Sequence, residues 1–567
     1  MRSTSTKVLL TIIICFSLLY TAQSQQINAY NYTLQKNLFS SKGAVVSAHA
    51  LASEAGAVIL AKGGNAIDAA IAVQLALAVV YPNAGNIGGG GFMVAHLKDG
   101  RNISIDYRET APANASRDMY LDATGNPQMN LSQDGHLSAG IPGTIAGLFA
   151  SMKYAKLKFS QLIEPAIRFA EYGFSITEGQ AKTLNALRAE FIRLNTATPV
   201  FVKNGDWKKG DTLVQKDLAN TLKRIRDLGA KGFYEGVTAE MIVNEMIKGK
   251  GIITKADLKN YVAKTRTPIT FPYHNCTIVT MPLPSSGGII LEQMMKMIEH
   301  RNIGRMKFET PQSVQLMTEV ERRAFADRAK FLGDPDFIKV PIKAMVSSSY
   351  LADKMKDYDP LKAGSSKITQ AGNIPESEET THLNVTDKEG NAVSVTTTLN
   401  GLCGSRTVVS GAGFLLNNEM DDFSVKPGVP NMYGAVGGEA NAIAPNKRML
   451  SSMTPTIVLK NNKPYFVVGT PGGTTIPTSV FQTLVDVLDF GMSIDRSVNL
   501  PKFHHQWLPD EIFVEKGFPL EVRDALSKMG YKITERGGIG RTEVLKITGK
   551  VVEAAADKRG DDSAAKD

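Results

Sequence analysis

Thr380 is the residue of this sequence whose type and surroundings point most directly to covalent chemistry. It follows the acidic run Glu376-Ser377-Glu378-Glu379 and begins a stretch with strand-like patterning. A threonine hydroxyl is a weak nucleophile unless a base removes its proton. If the chain is cut after Glu379, the new α-amino group of Thr380, with a pKa of about 8, is a suitable base. The sequence therefore predicts a precursor that cuts itself before Thr380 and then uses this threonine as its nucleophile.

The segment before Thr380 is predicted to be a linker. From Asp359 to Glu379 the chain is polar and rich in glycine, serine and glutamate. Such a composition favours an exposed, mobile segment over a packed element. A mobile linker would leave the bond between Glu379 and Thr380 accessible for cleavage.

The strand that begins at Thr380 is predicted to form a hairpin. Two threonine-rich stretches flank a four-residue turn, Asp387–Gly390. This turn places Thr380 opposite Thr397, and a shift of one residue brings it within reach of Thr398. A second hydroxyl there would orient the nucleophile, as the third group of a catalytic triad does. The competing interpretation is that threonines favour strands.

Two glycine-rich stretches differ in what they predict. Val467–Gly473 runs from a strand into the start of a helix, and free amides at such a turn can hold an oxyanion. A structural tight turn is the alternative. Gly88–Gly91 lacks the Lys-Ser/Thr of a phosphate-binding loop and precedes a strand, which indicates close backbone packing.

Composition is that of a globular protein large enough to bury a core without disulfides. The chain has 567 residues, 43% hydrophobic and 21% charged, with a net charge of +9. Its basic residues are scattered or interleaved with acidic ones, so we expect no nucleic-acid partner. Cys276 and Cys403 follow the first segment, and two buried thiols are favoured over one bridge.

The first residues have the pattern of a signal peptide. Arg2 and Lys7 precede an apolar run, Val8–Tyr20, and a small-residue cleavage site near Ser24. The run is too short to anchor the mature protein in a bilayer. We therefore expect residues 1–24 to be removed and the protein to be secreted, with the periplasm as its compartment and the extracellular space as the alternative.

The predicted elements define an α+β fold. Hairpins are expected at Phe92–Tyr107, Thr381–Thr398 and Thr456–Gly469, and Thr270–Met281 is expected to be one strand. Residues from about 145 to 335 are mainly helical in pattern, as is Thr475–Phe490. Hairpins segregated from helices predict layered antiparallel sheets covered by helices.

Several long motifs resemble the γ-glutamyltransferases (γ-glutamyltranspeptidases) of the N-terminal nucleophile hydrolase superfamily. The likeness extends over nearly the whole mature chain, and the motifs follow one another in the family's order. They are Asp106–Pro112, Thr380-Thr381-His382, Asn417–Phe423, Leu450–Thr456, Gly469–Gly473 and Phe503–Trp507. The resemblance implies a four-layer αββα sandwich, with residues 25–379 as the large subunit and 380–567 as the small catalytic subunit.

The resemblance also implies a reaction and a set of roles. The enzyme would transfer the γ-glutamyl group of glutathione or a related amide to water, an amino acid or a dipeptide. The hydroxyl that first attacks the Glu379 carbonyl would later attack the donor. The roles are Thr380 as nucleophile, Thr398 as its support, the Gly472 and Gly473 amides as oxyanion donors, Arg108, Ser451 and Ser452 for the substrate carboxylate, and Asn400, Glu419 and Asp422 for its amino group. Taken singly, each of these residues also has a purely structural explanation, such as an exposed arginine or a serine turn.

The same resemblance implies a lid and no cofactor. Pro427–Gly438, which contains Tyr433, is similar to a mobile loop that closes over the pocket in some members. His382 is expected to be structural, because the amine of Thr380 is the nearer base. His504 and His505 lack a metal-ligand spacing, so no catalytic metal is expected.

Two other functions fit parts of the pattern. A related amidase of the cephalosporin-acylase kind would share the nucleophile but not the amino-acid head group, which Arg108, Asp422 and the paired serines favour. A secreted amino-acid or peptide binding protein that has kept the fold would not be cut before Thr380.

Overall fold

A computed structural model describes residues 27–366 and 380–567 of the chain. The predicted signal peptide, Glu379 and most of the predicted linker lie outside these residues. Within them, no helix is both long enough and apolar enough to cross a membrane.

The strands of the described residues form two large sheets and two small ones. In chain order they are β1 (Asn37–Ser40), β2 (Ala44–Ser47), β3 (Gly90–His96), β4 (Asn102–Asp106), β5 (Phe174–Ser175), β6 (Thr212–Leu213), β7 (Lys264–Arg266), β8 (Ile269–Tyr273), β9 (Cys276–Thr280), β10 (Thr380–Thr386), β11 (Ala392–Thr398), β12 (Thr456–Lys460), β13 (Lys463–Gly469), β14 (Phe503–His504), β15 (Ile512–Glu515), β16 (Ile533–Arg536), β17 (Glu543–Thr548), β18 (Val551–Ala556) and β19 (Ser563–Lys566).

Each large sheet has seven strands and contains antiparallel pairs only. One sheet has the order β1-β18-β17-β13-β12-β9-β8, and the other has the order β19-β2-β10-β11-β3-β4-β7. The strand that begins at Thr380 is thus a central strand, β10, between β2 and β11. Because β2 pairs with β10 only from Leu383 onward, the first three residues of β10 have a strand neighbour on one side only.

Helices cover the outer faces of both sheets. They are α1 (Ala50–Ala61), α2 (Ala66–Val80), α3 (Met129–Gln133), α4 (Thr144–Ser151), α5 (Phe159–Tyr172), α6 (Glu178–Ala186), α7 (Arg188–Leu194), α8 (Lys216–Leu228), α9 (Lys231–Tyr234), α10 (Gly236–Gly249), α11 (Lys255–Asn260), α12 (Gly287–Glu299), α13 (Pro311–Phe331), α14 (Ile342–Met345), α15 (Ser348–Lys354), α16 (Thr475–Leu488), α17 (Ile494–Asn499) and α18 (Leu520–Lys528). Short 3-10 helices lie at His136–Ser138, Met152–Tyr154, Ile303–Arg305, Glu419–Asp422 and Glu439–Asn441.

Three hydrophobic clusters define the layers. One lies between the two sheets, where Val46 and Val94 of one sheet pack with Ile457 and Val467 of the other. A second joins the β10 sheet to α1, α2, α5 and α8, and a third joins the β13 sheet to α12, α13 and α16. The fold is therefore the expected α+β arrangement, a four-layer αββα sandwich of antiparallel sheets.

Most of the predicted elements are confirmed, one is wrong, and one is confirmed in part. Thr270–Met281 is two paired strands, β8 and β9, because the chain reverses at His274, which has φ of 49°. The described start of the predicted linker is exposed over residues 359–362, as expected, and is held in place only further on. The Gly364 amide donates to Glu319 at 3.0 Å, and Ser366 accepts from Arg322 at 2.6 Å. Its polar residues are held by buried charged groups and not by apolar contacts.

The glycine run before β3 permits close backbone packing, as expected. A side chain at Gly89 would collide with the Thr398 carbonyl, and one at Gly88 with the Leu415 carbonyl. The run thus brings β3 and its loop against the end of β11. Cys276 and Cys403 are both buried free thiols, which confirms the preferred interpretation.

Gly469, at the end of β13, lies against the imidazole of His382, so that an added Cβ would overlap the ring. We expect Gly469→Ala to lower the free energy of unfolding by about 1–3 kcal/mol, because this contact between the two sheets has no room to relax. Urea unfolding curves measure the change. Gly537→Ala is the control, since nothing lies within 4 Å of its added Cβ. Equal midpoints for the two variants would contradict the close packing at His382.

Candidate functional site

Thr380 lies at the entrance of a cleft that contains most of the predicted site. The cleft holds about 330 Å³ of empty space. Its lining includes Arg108, Arg328, Thr380, Thr398, Asn400, Glu419, Asp422, Asn431, Tyr433, Ser451, Ser452, Met453, Gly473, Thr474 and Ile476. Ten of the predicted residues are therefore brought together here, from both sides of position 380 and from separate elements.

Thr398, and not Thr397, lies opposite Thr380 in the hairpin. The turn pairs Thr386 with Ala392, which shifts the register by one residue from the simplest count. The Thr397 hydroxyl instead donates to the Gly90 carbonyl at 2.7 Å and so binds β11 to the start of β3. Thr398 accepts a hydrogen bond from the Asn400 amide at 2.7 Å, which fixes its side chain at the cleft.

The turn after β13 faces the nucleophile. Gly472 and Gly473 have φ of 135° and 52°, in the region that favours glycine. The carbonyl of Gly472 accepts two hydrogen bonds from Thr475 at the start of α16, at 2.9 and 2.7 Å. Neither glycine N–H donates to any of the described residues. Two such amides beside a nucleophile can stabilise an oxyanion.

Arg108 forms the centre of a buried charge cluster. It follows β4 and is 1% exposed. Its Nη1 lies 2.5 Å from Glu419, its Nη2 is paired with Asp422, and its Nε donates to the Met449 carbonyl at 3.3 Å. Burial disfavours the charge of Arg108, but Glu419 and Asp422 outweigh this effect and raise its pKa. The guanidinium is thus charged and already well occupied.

The carboxyl groups around Arg108 do not share one state of protonation. Burial raises the pKa of Glu419 well above its ordinary value, against the effect of Arg108. Burial also raises the pKa of Glu109 to about 8, and neither oxygen of Glu109 has a hydrogen-bond partner among the described residues. Because one cation cannot neutralise three adjacent carboxylates, protons hold part of this cluster neutral.

Two serine loops meet at the floor of the cleft. The Ser286 amide donates to the Ser451 carbonyl at 2.8 Å, and the Ser286 hydroxyl donates to the same carbonyl at 2.7 Å. Arg328, on α13, donates to the hydroxyls of Ser286 and Ser452, each at 3.1 Å. The Ser451 backbone and the Ser452 hydroxyl are thereby held, and both serines line the cleft together with Arg108.

The segment predicted as a lid covers the cleft. The Tyr433 hydroxyl donates to the Asn400 carbonyl at 2.5 Å, and its ring lies over Gly473. Asn431 donates to Asp422 at 3.1 Å. A residue of this segment thus covers the turn of Gly472 and Gly473.

His382 and His504 are held by neutral partners, whereas His505 lies 3.4 Å from Asp510. Burial lowers the pKa of His382 to about 3, and its ring nitrogens lie 2.9 Å from Thr396 and 3.0 Å from Asn384. His504 contacts Thr478 at 2.8 Å. In residues 27–366 and 380–567 there is no group of three or more histidine, cysteine, aspartate or glutamate side chains that could hold a metal.

Sequence reasoning missed Arg328, Glu109 and Asn86. Arg328 shares the buried face of α13 with Glu321, Ala324 and Phe325, and a cation on an apolar helix face was the available signal. Asn86 donates to the Thr398 carbonyl at 2.8 Å. Its role depends on a contact across the fold that no local pattern encodes.

Known proteins share this architecture and sequence. The chain resembles a cephalosporin acylase from Bacillus halodurans with a TM-score of 0.82 and 25% identity, over 96% of this chain and 99% of that one. It resembles the Helicobacter pylori γ-glutamyltranspeptidase with a TM-score of 0.56 and 43% identity, over 61% and 97%. A glutathione hydrolase proenzyme of Escherichia coli (strain K12) is 44% identical over 542 residues, 94% of this chain and 93% of the relative.

The fold and the threonine that leads a central strand define an N-terminal nucleophile hydrolase. The sequence model described as Gamma-glutamyltranspeptidase matches residues 52–567. The chain therefore belongs to the γ-glutamyltranspeptidase family and is an enzyme of this type.

Burial of Glu109 makes stability depend on pH in a defined direction. Its pKa is raised in the folded state, so the folded protein retains a proton that the unfolded chain loses above about pH 4.5. The wild type should therefore lose stability, relative to Glu109→Gln, as the pH rises from about 5 through 8. We expect the gap to change by at least about 1 kcal/mol in urea unfolding.

The exposed Glu521 supplies the matched control, as Glu521→Gln. This variant removes one exposed carboxylate outside the cluster, and the change of the gap with pH should be larger for Glu109→Gln. A pH-independent gap for Glu109→Gln would mean that Glu109 is ionised in the folded protein throughout.

Proposed function

We propose that the chain is a precursor that cuts itself before Thr380 and becomes a γ-glutamyl hydrolase and transferase. The observation that carries the proposal is the convergence of Thr380, Arg108 and Gly473 on one cleft. A nucleophile, a cation and an oxyanion turn are the parts that acyl transfer from an amino-acid-like donor requires.

In the first reaction the Thr380 hydroxyl attacks the carbonyl carbon of Glu379. The peptide C–N bond breaks, its nitrogen takes up a proton and becomes the free amine of Thr380, and an ester joins the two chains. Water then hydrolyses this ester, which restores the hydroxyl and leaves a carboxylate on Glu379. Cleavage thus creates the base that the second reaction needs.

In the second reaction the amine of Thr380 accepts the proton of its own hydroxyl as the oxygen attacks the donor amide. The Gly472 and Gly473 amides receive the oxyanion, and Thr398 orients the nucleophile. The leaving amine takes the proton as the amide bond breaks, and the acyl group remains as an ester on Thr380. Water or an incoming amine then attacks this ester, so the same residue serves in both half-reactions.

The donor's head group would be bound at the charged end of the cleft. Arg108, Ser451 and Ser452 would bind its carboxylate, while Asn400, Glu419 and Asp422 would accept hydrogen bonds from its amino group. A planar guanidinium suits a carboxylate. Tyr433 would cover the bound acyl group and favour small donors over long polymers.

Glutathione is the proposed donor, and water, amino acids or dipeptides are the proposed acceptors. The relative from Escherichia coli is named for glutathione hydrolysis, and its similarity extends over 94% of this chain. The acylase-like structure from Bacillus halodurans supports the alternative of a donor without an amino group. The carboxyl cluster of Glu419 and Asp422 favours the amino-acid donor, because it can bind an ammonium.

The subunits and the compartment belong to the same proposal. Removal of residues 1–24 and cleavage before Thr380 would leave a large chain of residues 25–379 and a small chain of 380–567. The two chains would remain one αββα unit, because β10 lies between β2 and β11 in a single sheet. The charged and apolar pattern of residues 1–24 supports export to the periplasm.

Denaturing gels test the cleavage. The purified wild type should separate into two chains, with the smaller one beginning at Thr380, because the hydroxyl performs the first attack. Thr380→Ala should remain one chain. Thr381→Ala is the control and should still be processed. Intact wild type, or a cut Thr380→Ala chain, would refute self-cleavage by this residue.

Release of an aniline from γ-glutamyl anilide tests the donor. The wild type should prefer this substrate over glutaryl anilide, which lacks the amino group. Arg108→Lys should lower kcat/KM by about 10-fold or more, since a lysine cannot reproduce the two-pronged contact. Arg266→Lys, a partly buried arginine outside the cleft that pairs with Asp106, is the control. Preference for the glutaryl compound would instead support an acylase.

A further inference from the structure

Two arginines line the cleft, and their surroundings differ. Arg108 has Glu419, Asp422 and, at 3.7 Å, Glu109 as acidic neighbours. Its remaining contacts are the carbonyls of Met449 and Leu450. The positive charge of Arg108 is therefore largely balanced before any ligand binds.

Arg328 has fewer acidic neighbours, since Asp422 favours its charged form but no carboxylate among the described residues pairs with it. It is 7% exposed and forms no ion pair with any of the described residues. Its hydrogen bonds go to Ser286 and Ser452, which are neutral hydroxyls. Burial lowers the pKa of Arg328 to about 10, so it still carries its charge at neutral pH. A buried, unpaired guanidinium is costly unless an anion comes to it.

The hydrogen bond from Arg328 constrains the direction of the Ser452 hydroxyl. Because Ser452 Oγ accepts from Arg328, its own proton points elsewhere, and this hydroxyl donates to none of the described residues. Arg328 also bonds Ser286, whose hydroxyl donates to the Ser451 carbonyl at 2.7 Å. One side chain thus joins the loop of Ser286 to the loop of Ser451 and Ser452.

We propose that Arg328 is a positioning and specificity-determining residue for the carboxylate of the donor. It orients the Ser452 hydroxyl toward the ligand and supplies, behind that hydroxyl, a positive charge that is not paired with a carboxylate. Arg108, whose charge is shared with Glu419 and Asp422, sets the position of the head group but contributes less net attraction. The inference rests on the proposed function and identifies Arg328 as the residue that makes the enzyme prefer donors with a carboxylate.

Three anilides that differ in one group each provide the test. γ-Glutamyl anilide has both the carboxylate and the amino group, glutaryl anilide has the carboxylate alone, and 4-aminobutyryl anilide has the amino group alone. Arg328→Met should raise KM about 10-fold or more for the two carboxylate donors, since a charged hydrogen bond is lost. It should leave kcat within about 3-fold and leave 4-aminobutyryl anilide unaffected.

A conservative variant and a matched control separate this role from a structural one. Arg328→Lys keeps the charge without the fork and should restore part of the preference for a carboxylate. Arg323→Met, on the same helix but bonded to Glu319, should not change the preference among the donors. If Arg328→Met accumulates as an uncut precursor, Arg328→Lys replaces it in the test. The quantity compared is then the ratio of the KM for the carboxylate donors to the KM for 4-aminobutyryl anilide.

The outcomes are distinct. An equal loss for all three anilides, or no loss for the carboxylate donors, would overturn the role of Arg328 and leave the proposed function intact. A wild-type enzyme that releases aniline from none of the three would refute the proposed function itself. Loss of the carboxylate preference in Ser452→Ala, with no further loss in the double variant with Arg328→Met, would support action through Ser452.

Discussion

The structure depends on one constraint, which is that Thr380 begins a buried central strand at the point where the cleft opens. The proposed nucleophile would carry its base on its own backbone nitrogen, so the strand, and not a side-chain rotation, would set the position of that base. β11 pairs with β10 from the first residue, whereas β2 begins to pair only at Leu383. The end of the strand is therefore paired on one side and has no strand neighbour on the other, where Thr380 lines the cleft.

Glycines make this placement possible. Gly469 lets β13 approach His382, and Gly89 lets the loop before β3 approach the Thr398 carbonyl. Asn86 then binds the same carbonyl. Each glycine is positioned where a side chain would push the neighbouring strand away from the nucleophile. Close packing between backbones, and not hydrophobic burial alone, thus determines the geometry of the site.

Charge is the second determinant of the site. Arg108, Glu109 and Glu419 are buried together, and proton uptake by carboxyl groups limits the repulsion among them. Such a cluster costs free energy in the empty protein. A ligand with one carboxylate and one ammonium would complement both signs at once, which is the physical basis for an amino-acid-like donor.

Much of this organisation could be predicted from the sequence. Thr380 could be found because an acidic linker leads directly into a strand, and the layered antiparallel sheets because hairpins and helices are segregated. The four-layer αββα order was implied by the family resemblance. The register failed by one residue because the turn geometry that pairs Thr386 with Ala392 is not encoded by length alone. The contact that holds the linker at Gly364 and the contacts of Arg328 depend on tertiary partners, Glu319 and Ser452, that are distant in sequence.

The most direct test of the account is to find which atom carries the acyl group. Enzyme mixed with γ-glutamyl anilide and quenched in acid should yield, by tandem mass spectrometry, a peptide whose first residue is Thr380. That residue should bear one γ-glutamyl group as an ester on its hydroxyl, removable by hydroxylamine, with its amine free. A γ-glutamyl group on another side chain, or a Thr380 that is never the first residue of a chain, would contradict the account.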